Sequence, residues 1–409
     1  MKEIFGKHIK RRQFLAGAGT AALVTGFPAV LRAQEPEPIK IGLVHPVTGF
    51  VSFSGTQSRA GAELAIADIN AAGGIKSLGG AKLQAILGDS QGRPELGASE
   101  TARVIEEGAC AVVAGYSSAV TLATSQEAAK TNTPHVVDVG VADNIMDRGL
   151  KNTFRFAPGY GSVAATAIEA LREINAGGQA KTAVIIHEES LFGTGTAELL
   201  AAELPKIGIE VLQVIKHANP TRDFTNIALQ LRSLKPDIII PANYYNEYVL
   251  LARTLRQQRI EAKAIYSVLG GAASNVQFVK EFPEAAEYIM DCNHWYDPKS
   301  ELALKRRAEA EAKGLYYTYE VFLTYNAVAF LADAIERAGS TDKEAIIEAL
   351  RTSTFSDHGM PYGPTQIDEN GQNLGARAVN TQVLNGNIEV VLPKEFASAE
   401  VVFPMPSRS

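Results

Sequence analysis

The chain has 409 residues, 46% of them hydrophobic and 21% charged, with two cysteines and a formal net charge of −6. This is globular composition, which excludes disordered, collagen-like and coiled-coil classes and predicts two or three domains of ~100–200 residues. Residues 1–33 hold six of the 39 Lys/Arg and one of the 45 Asp/Glu, so the rest carries 33 bases against 44 acids, a net of −11. With no Lys/Arg run after residue 33, nucleic acid and anionic membranes are excluded as partners.

In chain order, a basic stretch ends in Lys10-Arg11-Arg12-Gln13-Phe14-Leu15. An Ala/Gly/Val/Leu run follows to Val30, and Leu31-Arg32-Ala33 offers a small-residue cleavage site before Gln34. Basic, apolar and cleavable in that order is the plan of an export signal, and paired arginines before Phe-Leu resemble the twin-arginine type. Roughly 17 moderately apolar residues, interrupted by Gly17, Gly19, Gly26 and Pro28, fall short of the ~20 that a membrane span needs. Glu35-Pro36-Glu37-Pro38 reads as a short stiff tether.

From residue 39, short β-rich runs alternate with stretches of helical period. Strands are predicted at Ile39–Val44, Lys82–Leu87, Ala109–Ala114, His135–Asp138, Thr153–Phe156, Thr182–His187, Ile209–Ile215, Asp237–Pro241, Lys263–Tyr266 and Glu287–Cys292. Helices are predicted near 57–71, 94–107, 119–130, 160–175, 194–206, 223–234, 244–258, 274–281, 300–313, 317–338 and 342–351. Unbroken apolar runs such as Ile238-Ile239-Ile240 mark parallel strands covered on both faces. The expected fold is therefore α/β, with two doubly wound parallel sheets. Asn385-Gly386 predicts a closing hairpin between Arg377–Leu384 and Asn387–Leu392. Cys110 and Cys292 both fall in apolar strands and read as buried small hydrophobes rather than a bridge or a nucleophile.

Ligands of open parallel sheets bind beyond the carboxyl ends of the strands, so the chemistry is sought in the βα turns. Gly115-Tyr116-Ser117-Ser118-Ala119 leads into a helix; its two serines either cap that helix or join its free N–H groups in cradling a carboxylate. The same turn resembles a nucleophile elbow, which would make the protein a secreted serine hydrolase with Ser117 as nucleophile. Against that, the fifth position is Ala119, and His135, His187, His217, His294 and His358 are scattered without a motif. Gly193-Thr194-Gly195 is a poor match to a dinucleotide loop, and no metal-ligand spacing occurs, so neither a cofactor nor a metal is expected. Glu188-Glu189 reads as a solvated turn. The cluster of Tyr244, Tyr245 and Tyr248 suits either a helix face or a ligand platform, and His294-Trp295-Tyr296 a hinge, a ligand lip or core packing.

These features converge on one resemblance. Ile39-Lys40-Ile41-Gly42-Leu43, Thr48-Gly49 and the helix from Gly61 to Asp68-Ile69-Asn70-Ala71-Ala72-Gly73-Gly74-Ile75 resemble type I periplasmic solute-binding proteins. Within that group the chain is most similar to the leucine/isoleucine/valine-binding branch of ABC importers. Arg148-Gly149, Phe154-Arg155, Phe192-Gly193-x-Gly195 and Asp223-Phe224 match as well, and the resemblance covers nearly all of 39–395.

The resemblance implies a non-enzymatic, monomeric binder whose two lobes, 39–157 plus 292–355 and 158–291 plus 356–409, are joined by a three-strand hinge. A small-molecule ligand would be captured between them and delivered to a membrane permease. A ligand-sensing regulator of the same fold is disfavoured by the export signal. The family's carboxylate turn falls on Ser117 and Ser118, and the next turn, on Val139-Gly140-Val141, offers only backbone groups. A ring position falls on Phe192, another on Tyr244 or Tyr245, and Phe50, Phe53 and Tyr319 would also suit an aromatic ligand. Where amino-acid binders place an acid against the α-ammonium, this chain has Val268-Leu269-Gly270-Gly271. A buried ammonium without an anion costs several kcal/mol. Either Asp138, Glu188 or Glu247 replaces that acid, or the ligand is an aromatic or aliphatic acid without an amine.

Overall fold

The computed structural model describes residues 36–407; the export signal read at residues 1–33 lies outside them. Among the described residues no helix is long and apolar enough to cross a membrane.

The first sheet forms from β1 (Ile39–His45), β2 (Leu83–Asp89), β3 (Ala111–Ala114), β4 (His135–Val137) and β5 (Thr153–Arg155). They lie in the order β2-β1-β3-β4-β5, every pair parallel. The crossovers are α1 (Ser52–Ala71), α2 (Pro94–Glu106) and α3 (Ser118–Ala129). The second sheet begins with β6 (Thr182–Glu188), β7 (Glu210–His217), β8 (Ile238–Ala242), β9 (Ala264–Val268) and β10 (Met290–Asn293). Around these lie α4 (Tyr160–Ile174), α5 (Leu191–Glu203), α6 (Thr225–Leu234), α7 (Tyr245–Gln257), α8 (Val276–Glu281) and the short α9 (Pro283–Ala286). After α10 (Glu301–Ala312), α11 (Tyr319–Ala338) and α12 (Lys343–Arg351), the hairpin β11 (Val379–Leu384) and β12 (Asn387–Leu392) completes this sheet. Its order is β12-β11-β10-β9-β8-β6-β7, parallel except for the hairpin, which joins β10 antiparallel.

The second sheet's central strands carry the apolar runs read from the sequence: Ile238, Ile239 and Ile240 are fully buried. After β10 the chain returns to the first sheet, where α11 packs on α1. Small residues make that packing close, since a Cβ on Gly61 would come within 2.2 Å of the Val321 carbonyl oxygen. The chain therefore passes between the two sheets three times: after β5, after β10 and after α12.

Several local expectations are corrected. The first helix starts at Ser52 rather than 57, and the short helical turns at Lys76–Leu78, Asp143–Ile145 and Pro283–Ala286 fall outside the expected helices. β3 begins at Ala111, so Cys110 sits ahead of the strand and is only partly buried, whereas Cys292 in β10 is buried; both thiols are free. Glu188 is not in a solvated turn. It ends β6 with no exposed surface, because Ser190, Asn219 and the Tyr244 amide enclose its carboxyl.

Candidate ligand-binding site

The carboxyl ends of the two sheets meet around a small cavity. Tyr116 and Ser118 reach it from the turn after β3, Val139 and Val141 from the turn after β4, and Tyr319 from the start of α11. The second sheet contributes Asn243 and Tyr244 after β8, Leu269 and Gly271 after β9, Asn293 and His294 at the end of β10, and Phe192 in the first turn of α5.

On the first-sheet wall, Ser117 is the N-cap of α3, its hydroxyl accepting from the Val120 amide at 3.4 Å. That cap leaves the N–H groups of Ser118 and Ala119 without helical partners, at the positive end of the helix. The Ser118 hydroxyl accepts from the Ala142 amide at 3.2 Å and keeps its own proton to donate. In the next turn, Val139 N–H is spent on Asp138 and Gly140 N–H on the Gly115 carbonyl. Behind this turn Arg155, only 2% exposed, donates to the carbonyls of Gly140 at 3.3 Å and Ala142 at 2.9 Å. Burial lowers its pKa to about 10, so it remains a cation at neutral pH, and Asp143 pairs with it at 3.5 Å. The helix dipole and free donors of the α3 turn suit a carboxylate.

Aromatic rings make up part of the remaining walls. Tyr244 lies 5.6 Å from Tyr116 and 5.3 Å from Phe192 by ring centroid, and the hydroxyls of Tyr116 and Tyr319 meet at 3.2 Å. Phe53 of α1 stacks on Tyr245 of α7 at 3.9 Å.

Of the site residues named from the sequence, Ser118, Val141, Phe192, Tyr244 and Leu269 line the cavity. Ser117 caps α3 beside it, whereas Phe53 and Tyr245 stack on each other and do not line it. Gly140 packs on Thr121, where an added Cβ would come within 2.3 Å of a hydroxyl. Gly270 donates its N–H to Asp291 and accepts from Asn293. Of the aromatic trio, Tyr244 faces the cavity while Tyr248 is core, its hydroxyl against Ser267. His294 lines the cavity, but Trp295 and Tyr296 stack into the core. Asn243 and Asn293 were not among the expected site residues, although each lies within two residues of the end of a predicted strand.

None of the three acids offered as ammonium partners lines the cavity. Asp138 is tied to His45 at 2.9 Å and Thr324 at 3.0 Å, which with the Val139 amide hold its pKa low. Glu188 is enclosed as described and pushed up to about 8 by burial, and Glu247 is buried in α7 with its pKa also raised by burial. No Ser-His pair exists for the hydrolase reading either: among the described residues no histidine hydrogen-bonds Ser117.

Two doubly wound sheets whose carboxyl edges meet over a cavity partly lined by rings form a clamp suited to a small solute. The chain belongs to the periplasmic binding protein family, whose model matches residues 38–387; proteins of this family bind substrates without transforming them. It is 26% identical over 409 residues to a Leu/Ile/Val-binding protein homologue of Brucella melitensis, covering 95% of this chain and 99% of the relative. The leucine-binding protein LivK of Thermotoga maritima superposes with a TM-score of 0.75 at 25% identity, covering 86% and 97% of the two chains. A solute-binding protein from Rhodopseudomonas palustris in complex with benzoate shares the fold, with a TM-score of 0.75 at 18% identity over 90% and 98%.

Proposed function

We propose that this protein captures an aromatic carboxylic acid without an α-amine and hands it to the permease of an ABC importer of the branched-chain amino acid type. It would work in the periplasm as a monomer, exported by the twin-arginine-type signal at residues 1–33. The lobes would divide near residues 157, 291 and 355. One observation carries the ligand reading: the cavity has carboxylate donors and rings along its walls but no acid lining it to neutralise an ammonium. Stacking on Tyr116, Phe192 and Tyr244 would contribute about 0.5–1.5 kcal/mol per ring pair beyond burial. The benzoate complex of the Rhodopseudomonas protein supports the reading, because the same fold accommodates such a ligand.

The test is a thermal-shift screen of the purified protein against benzoate, phenylacetate, aliphatic acids, leucine, valine and short amides. Ligand at 100-fold over its dissociation constant adds about 2.7 kcal/mol and raises the melting temperature by several degrees. A rise with aromatic acids alone is expected. A rise with leucine or valine and none with aromatic acids overturns the reading.

A further inference from the structure

The polar atoms of the second-sheet wall are not used by a carboxylate bound at the other wall. His294 is 1% exposed and lines the cavity, yet neither ring nitrogen has a hydrogen-bond partner. Its position is nonetheless secured, since its backbone N–H donates to Asn293 Oδ1 at 2.7 Å. Burial, reinforced by the nearby Arg155 cation, pushes its pKa down to about 3. The ring is therefore neutral and presents one N–H donor and one bare acceptor nitrogen.

Asn243, fully buried and lining the same cavity, leaves its Oδ1 without a partner. The orientation of that amide follows from its neighbours. His217 places Nδ1 against the Ala218 carbonyl, which requires a proton there and makes Nε2 the acceptor. Asn243 Nδ2 donates to that Nε2, so the open atom of the amide is an acceptor oxygen.

Buried groups of this kind are normally satisfied, and leaving them unmet is costly. A carboxylate only accepts, and would leave the bare His294 nitrogen and Asn243 Oδ1 unmet. An ammonium meets both acceptors but leaves the His294 N–H unmet, and it brings a charge that no acid lining the cavity neutralises. An unsubstituted ring meets none of them. A neutral hydroxyl accepts from the His294 N–H and gives its one proton to Asn243 Oδ1, leaving only the bare His294 nitrogen. We propose that His294 and Asn243 form a second polar subsite that selects a ring hydroxyl, so that the preferred ligand is a hydroxylated aromatic acid. The inference rests on the aromatic-acid reading above and narrows it.

The test is calorimetric titration of the purified protein with benzoate, 3-hydroxybenzoate and 4-hydroxybenzoate, repeated for His294→Phe and His294→Gln. At least one hydroxybenzoate should bind roughly tenfold or more tighter than benzoate, as expected where a site is built to hydrogen-bond a hydroxyl. His294→Phe keeps a ring without polar atoms and should bring that ratio close to one, while His294→Gln should retain part of it. Circular dichroism identifies a variant that fails to fold, and Asn243→Leu then supplies the same comparison. Equal binding of benzoate and both hydroxybenzoates overturns the subsite alone, as does a ratio that survives His294→Phe and Asn243→Leu. Absence of binding by any aromatic acid overturns the ligand reading and the subsite with it.

Discussion

Phe53, near the start of α1, and Tyr245, the first residue of α7, stack with ring centroids 3.9 Å apart and planes 19° from parallel. α1 belongs to the first sheet and α7 to the second, so this pair joins the two halves. Asn246 adds a hydrogen bond to the Phe50 carbonyl at 3.1 Å. Such contacts exist only when the halves are together, so they favour the closed state over the open one.

Tyr245→Ala should therefore speed ligand release more than it slows capture. Losing an aromatic pair and part of its burial predicts a dissociation rate about 3- to 30-fold higher. Stopped-flow fluorescence would measure it, and an unchanged release rate would show that the stack does not gate the cleft.

The two serines of the α3 turn should separate by readout. Ser118→Ala removes a donor aimed at a charged ligand and should weaken binding about 10- to 100-fold. Ser117→Ala removes a helix cap and should cost about 1 kcal/mol of stability with the smaller effect on affinity. Calorimetry and thermal melts of both variants check this; equal affinity losses would mean that Ser117 also contacts ligand.

Leu269 lines the cavity in the left-handed region at φ +54°, a conformation that Asp and Asn adopt more readily than Leu. Leu269→Asp should thus be accommodated by the backbone while placing a carboxylate in the cavity wall. Binding of amine-free acids should fall by at least tenfold, and binding of α-amino acids should appear or strengthen. A variant that still binds benzoate and ignores leucine would count against the missing acid as the determinant of ligand class.

Glu320, in the first turn of α11, is fully buried, and neither carboxyl oxygen has a hydrogen-bond partner. Burial raises its pKa from 4.5 to about 7, with the nearby hydroxyls of Thr318 and Ser54 partly opposing the shift. Between those values the folded state holds a proton that the unfolded state has lost. Its contribution is thus fully present below pH 4.5 and declines as pH rises to 7, by on the order of 3 kcal/mol. His135, His294 and His358 are held neutral, at about 4, 3 and 4, so their contributions rise with pH up to 6.5 and offset part of this decline. Comparing Glu320→Gln with the parent cancels the histidines. The variant's melting temperature should gain on the parent's from pH 5 to 7 and run parallel above that. A constant difference from pH 5 to 8 would exclude the carboxyl as the cause.

Much of this architecture is legible in the chain because its signals are local. Asn387–Leu392 and Pro94–Glu106 lie within a residue or so of their expected limits, since a Gly-containing turn and a helix-starting proline act on their immediate neighbours. Ser118, Val141, Phe192, Tyr244 and Leu269 could be named because the carboxyl edge of a parallel sheet collects the βα turns. Tyr319 was named too, as one of several rings suited to an aromatic ligand, but only the packing of α11 on α1 brings it to the cavity. Glu188 was misread for a related reason: its solvation depends on Asn219 and Tyr244, 31 and 56 residues away.

By itself, then, the sequence determined the alternation of strand and helix, the two parallel sheets, the turn chemistry suited to a carboxylate and the lack of an acid after β9. All of these follow from periodicity and from the residue types within one turn. Only the tertiary structure decided that Asp138, Glu188 and Glu247 lie outside the cavity lining, and that His294 and Asn243, which line it, keep polar atoms without partners. Whether a buried group is satisfied depends on distances between elements far apart in the chain, and these exist only once the sheets have packed together.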